Sequence, residues 1–182
     1  MTADLPTPLR PYFNMELFLT SAGETRVSGR DMDECIALWE TWMQHIHAKK
    51  ITARGAAYLA LWLDPLVENA VDAAWRQSPG LGFRLHALAQ TLCMAAVHAC
   101  IPEVEDAGCA PVPQGSREMA AALTKMGLPA TCKEYLIVSR KYAVVSAMPF
   151  AGGCETCALQ QDCPRLRRRE TSRILPGYER AE

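Results

Sequence analysis

Apolar positions from Asp31 onwards recur with a helical period. Met32, Cys35, Ile36, Trp39, Trp42, Met43 and Ile46 fall at i, i+3, i+4 and i+7 spacing and form one stripe, the pattern of an amphipathic helix with one face on a core. Asp31 and Asp33 suit its start and Lys49 and Lys50 its end, because these charges complement the two poles of the helix dipole. Thr52 then caps a second helical run through Ala56, Leu59 and Leu63. Asp64-Pro65 reads as a fresh N-cap with proline at the first helical position, so residues 52–77 form either two abutting helices or one kinked at Pro65. Ser78-Pro79-Gly80 ends that run. The next helix, about 80–101, is the most apolar and predicts the centre of a bundle: Leu81, Leu85, Leu88, Leu92, Ala96 and Cys100 line one side.

The remaining segments are shorter. Residues 1–11 are proline-rich and read as extended chain. Phe13 to Thr20 is apolar and β-prone, Ser21 to Glu24 offers a turn, and Thr25 to Ser28 returns, which predicts a small hairpin. Residues 102–114 read as a loop. Ser116 caps a short helix through Met119 and Leu123, stopped by Gly127 and Pro129. Thr131-Cys132-Lys133-Glu134 reads as a capping box opening a last helix of about 132–145, although its Leu136-Ile137-Val138 run also suits a strand. The predicted fold is mainly α, an irregular bundle of five or six helices over residues 31–145. An extended segment with a small hairpin precedes it over 1–30, and a metal-binding loop with a basic tail follows over 146–182, all in one compact domain.

Composition narrows the class. The chain has 182 residues, of which 49% are hydrophobic and 21% charged, the balance of a globular domain rather than a disordered one. A formal net charge of -1 gives no global attraction to nucleic acid or membrane. The distribution is uneven, since Arg165, Arg167, Arg168, Arg169, Arg173 and Arg180 make the last segment locally basic. The first residues lack the basic start and apolar core of an export signal. The longest stretch without Asp, Glu, Lys or Arg, Leu85 to Pro102, contains His86, Gln90, Thr91 and His98, which suits a buried helix better than a membrane span. A cytoplasmic protein is expected, and in that reducing compartment eight cysteines read as thiols or metal ligands rather than disulfides.

Cys154, Cys157 and Cys163 form a Cys-x2-Cys-x5-Cys array followed by Pro164. Each iron of a cubane cluster takes one thiolate, and two residues between ligands allow a turn to point both sulfurs inward. Gly152 and Gly153 let the backbone approach closely. A fourth ligand is needed for a 4Fe-4S cluster or a closed zinc site. Cys132 is favoured, as the cysteine nearest in sequence and at the first turn of a predicted helix, where free amides stabilise a thiolate. Cys109, in the preceding loop, is the runner-up. Cys35, Cys93 and Cys100 lie on apolar stripes and read as small buried hydrophobes. Zinc is the alternative metal; structural zinc usually uses two short-spaced cysteine pairs, and this chain has one.

The run Gly153-Cys154-Glu155-Thr156-Cys157-Ala158-Leu159-Gln160-Gln161-Asp162-Cys163 resembles the C-terminal iron–sulfur loop of the endonuclease III and adenine-DNA-glycosylase family. It is also similar to the terminal cysteine cluster of RecB-like nucleases. The resemblance covers about a dozen residues and implies a 4Fe-4S cluster that staples the chain near DNA. It implies no activity, because neither a helix-hairpin-helix glycine motif nor either family's catalytic residues stand at matching positions. Three functions follow as expectations: a 4Fe-4S protein for redox sensing or electron transfer with a protein redox partner, or one merely stapled by the cluster; a nucleic-acid-binding module whose Arg165, Arg167, Arg168 and Arg169 meet phosphates; and a zinc-stapled interaction protein.

No phosphate-binding glycine loop, Gly-x-Ser-x-Gly or His-Glu-x-x-His motif marks an enzyme. His45 and His47, two apart near the end of a predicted helix, face different sides and would not share a metal. His86 and His98 read as hydrogen-bonded core or boundary residues.

Overall fold

The computed structural model describes residues 5–163 apart from Thr7 and Glu134. Six α-helices and five strands in two antiparallel sheets make up this part of the chain. The fold is mixed α/β, which corrects the mainly helical bundle expected from periodicity.

The first correction lies at the N-terminus. Residues expected as a hairpin form helix α1 (Met15–Ala22). The Asn14 side chain accepts a hydrogen bond from the Leu17 N–H at 2.9 Å, and Gly23 closes the helix at φ +68°. Local capping chemistry thus outweighs the β-prone composition. Helix α2 (Gly29–Trp42) is the stripe read from the sequence, capped by Ser28 and burying Cys35, Trp39 and Trp42. It stops well before Lys49: a 3-10 turn at Met43–His45 leads into strand β1 (Ile46–Ala53).

Strand β2 (Ala56–Leu63) replaces the helix expected from Thr52 to Leu63. Arg54 and Gly55 connect β1 to β2 with φ of +52° and +78°, the two left-handed positions of a type I′ hairpin turn. Leu59 to Leu63 are all buried, so β2 shows no alternation of apolar and polar residues. Helix α3 (Pro65–Gln77) begins at the proline read as its first helical position; helix α4 (Pro79–Cys100) begins inside the run read as a stop, where Ser78 Oγ caps it by accepting from the Leu81 N–H. Helix α5 (Glu103–Ala107) is a single turn, and helix α6 (Arg117–Lys125) is capped by Ser116 as expected.

The helix expected over 132–145 is absent. Its residues contribute to strands β3 (Ala130–Cys132), β4 (Leu136–Val138) and β5 (Ala143–Ala147). β3 and β4 pair with each other, while β5 joins the larger sheet in the order β1-β2-β5. β5 runs antiparallel to β2, with Tyr58 opposite Ala147 and Trp62 opposite Ala143. The β-prone run Leu136-Ile137-Val138, two of its residues β-branched, prevails over the capping box.

The larger sheet lies between two helical layers. Leu59 and Leu61 pack with Cys93, Ala96 and Val97 of α4. Ile51, Ala60 and Trp62 pack with Met119 and Leu123 of α6. A third cluster joins α1, α2 and α3 to α4 through Phe18, Trp39, Trp42, Val67, Leu88 and Leu92. α4 is therefore the central helix, as its apolar composition predicts. No described helix is long and apolar enough to cross a membrane.

Candidate metal centre

Two segments distant in sequence meet beside β5. The first leaves α5 through Gly108, whose φ of +66° ends that turn, and continues at Cys109. The second runs from β5 through the paired glycines into the cysteine array. Ser146 Oγ, buried in β5, donates to the Pro111 carbonyl at 3.3 Å, and the Ala158 N–H donates to the Val112 carbonyl at 2.8 Å. These two bonds hold the Cys109 segment against the array.

The array itself is a succession of tight turns. Single 3-10 turns occupy Cys154–Thr156 and Gln160–Asp162. The Cys157 N–H donates to the Cys154 carbonyl at 3.2 Å, and the Gln160 N–H to the Cys157 carbonyl at 3.1 Å. This is how the two-residue and five-residue gaps are accommodated in short, turned backbone. Ahead of them, the Gly153 N–H donates to Glu155 Oε1 at 2.7 Å. Bonds from the backbone N–H groups of Glu155 itself and of Gly153 hold the Glu155 carboxyl below the usual carboxylate range. Gly152 is required here: its φ is +115°, and a Cβ would come within 2.6 Å of Glu155 Oε1.

Cys109, Cys154, Cys157 and Cys163 together line one small cavity of about 30 Å³, closed by Ala107 and Pro111. Cys154 is exposed and the other three are partly buried. Among the described residues, no three His, Cys, Asp or Glu side chains are placed to hold a single metal ion.

Cys132, the expected fourth ligand, is not among the described residues that line this cavity. It ends β3, opposite Leu136. Its sulfur packs beside Gly115, so closely that a Cβ there would lie 2.9 Å away. The helix terminus that recommended it does not form. Cys109, the runner-up, stands with the triad instead. Cys35, Cys93 and Cys100 are buried in the apolar core, as their stripes predict. Burial pushes the thiols of Cys93 and Cys100 up to about 12 and about 11, and raises that of Cys35, so all three remain neutral thiols at physiological pH.

The histidines divide differently from expectation. His45 ends the 3-10 turn and His47 lies in β1, and both bond one carboxylate. His45 Nδ1 lies 3.0 Å from Asp64 Oδ2, and His47 Nε2 lies 2.6 Å from Asp64 Oδ1. The change from 3-10 turn to strand between them brings the pair together on Asp64. Asp64 therefore sits at the N-cap of α3 without giving it a side-chain cap. His86 Nδ1 bonds the Tyr142 hydroxyl at 2.9 Å, as expected for a boundary histidine. His98 is buried, and its Nε2 finds no partner, unlike the hydrogen-bonded residue expected.

The arginines Arg165, Arg167, Arg168 and Arg169 lie outside the described residues. Comparison with protein-family models, with curated proteins and with solved structures finds no match for this chain.

Proposed function

We propose that this chain is an iron–sulfur protein holding one 4Fe-4S cluster through Cys109, Cys154, Cys157 and Cys163. The observation that carries the reading is the lining of one cavity by four cysteines from two separate segments. An all-thiol donor set suits iron–sulfur clusters or zinc and does not suit ions that prefer oxygen ligands. The single short-spaced pair, Cys154 and Cys157, favours the cluster over structural zinc. When bound, the cluster supplies one-electron exchange. The four thiols bring together the Cys109 segment and the array, so their joint ligation cross-links β5's continuation to the linker between α5 and α6. The exposed side of Cys154 leaves one edge open to a protein redox partner. A reducing, cytoplasmic setting keeps the thiols available as ligands.

Anaerobic isolation tests this. The expected result is about four irons and four acid-labile sulfides per chain, with broad absorbance near about 400 nm. Cys109→Ser should lose most of this content, and Cys132→Ser should keep it. About one zinc per chain without iron would replace the cluster by a zinc staple. Neither metal after anaerobic isolation and reconstitution would defeat both. Loss of iron in Cys132→Ser but not in Cys109→Ser would return the fourth position to Cys132.

A further inference from the structure

A larger cavity, of about 570 Å³, opens between α1 and α4 on one side and β4 and β5 on the other. Its walls are mainly apolar, with Leu17, Met94, Val112, Val138, Val144 and Leu159 among them. The volume lies within the roughly 300–1,000 Å³ of sites that enclose small organic molecules. Lys141 is the one charged side chain among the described lining residues. Its ammonium is already neutralised, bonded to both oxygens of Asp72 at 2.5 and 2.6 Å. Among the described residues, the wall therefore offers no unmatched charge to an ionic ligand. Exposed Thr20 and Gln90, together with Ser21, contribute neutral hydrogen-bonding groups.

We propose that this cavity binds a neutral, mainly apolar small organic molecule that carries one hydrogen-bonding group. Charge complementarity commits the ligand to neutrality, since an ion taken from water into these walls would find no counter-charge among the described lining residues. The site goes beyond the cysteine centre, and its test is read apart from what that centre holds. The two adjoin, because Cys109 lines both cavities.

Two dyes that share their rings and secondary amine separate the outcomes. N-phenyl-1-naphthylamine is neutral, and 8-anilinonaphthalene-1-sulfonate adds one negative charge. The full chain should enhance the fluorescence of the neutral dye saturably, with one site per chain, and bind the sulfonate about tenfold more weakly or worse. Gln90→Trp alters an exposed position of α4 and should weaken the neutral dye about tenfold while thermal unfolding stays unchanged. Val138→Trp, which fills the cavity from β4, should do the same.

Absence of saturable binding by the folded chain overturns the proposal. So does equal binding of both dyes, or binding that neither substitution affects. Ile174 and Leu175 are an adjacent apolar pair outside the described residues; the proposal also falls if the dye binds only after Ile174→Asp and Leu175→Asp are introduced together, since the occupant is then the chain's own final segment. Iron content, measured on the same samples, reports separately on the cysteine centre.

Discussion

Replacing Cys109 with serine should cost far more stability than replacing Cys132, and the size of the gap follows from chain topology. In the proposed centre, ligation joins Cys109 to Cys154 and closes a loop of about 45 residues. Fixing the ends of such a loop removes conformational entropy from the unfolded chain, worth about 4 kcal/mol at 25 °C on the loop-closure relation for cross-links. The array's own gaps are short, so this long loop dominates the cross-link's effect. For a chain of this size each kcal/mol moves the midpoint by about 2–4 °C, so Cys109→Ser should unfold about 8–16 °C below the iron-loaded wild type. Cys132→Ser changes a partly buried thiol at the end of a three-residue strand and should stay within about 1 kcal/mol. Anaerobic thermal unfolding by circular dichroism, with iron determined on each sample, reads both numbers. Wild-type protein stripped by chelation should fall to the midpoint of Cys109→Ser. Equal midpoints for the two variants, or a wild type indifferent to chelation, would refute the cross-link.

Leu61→Ala removes a fully buried side chain of the central strand and should lower the unfolding free energy by about 2–5 kcal/mol in a denaturant titration. Burial pushes the Asp64 carboxyl up, but hydrogen bonds from His45 and His47 outweigh it and hold the group below its usual range. Its contribution is therefore present above the ordinary carboxylate pKa and lost as pH falls through the lowered one. Asp64→Asn should cost about 1 kcal/mol at neutral pH, after allowance for solvent screening, and the two proteins should converge below about pH 4. Burial lowers the pKa of His98, so its neutral form stabilises the fold above the ordinary histidine value, and that contribution is lost as pH falls through the lowered pKa. Midpoints taken between about pH 8 and pH 5 should decline for wild type and decline less for His98→Leu, with His86, also lowered by burial, supplying part of the remaining slope.

The start of α6 was legible because Ser116 accepts from an N–H three residues on, a contact settled by local chain alone. Asn14, Ser28 and Ser78 make the same contact at the starts of α1, α2 and α4, but the apolar and turn residues around them read as a strand, a strand end and a stop. β2 was not legible, because its apolar residues contact α4 and, on the opposite face, α6. A strand covered on both faces loses its period of two, and Ala56, Leu59 and Leu63 then match a helical spacing by coincidence. The one local signal was Arg54-Gly55, a turn whose left-handed backbone glycine tolerates at its second position.

The chemistry of the candidate centre was written in the chain: three cysteines at close spacing with glycines before them. Their turned backbone is local too, closed by bonds among residues 153–163. Which further cysteine lines the cavity with them was not local. Nearness in sequence recommended Cys132, but β3 carries it to a pairing with β4 and a contact with Gly115. Cys109 reaches the triad because β5 pairs with β2, and because Ser146 and Ala158 bond the segment that follows Cys109. Spacing along a chain determines which groups a single turn can gather. Only strand pairing and packing determine which distant groups join them, since those contacts depend on both faces of elements separated by many residues.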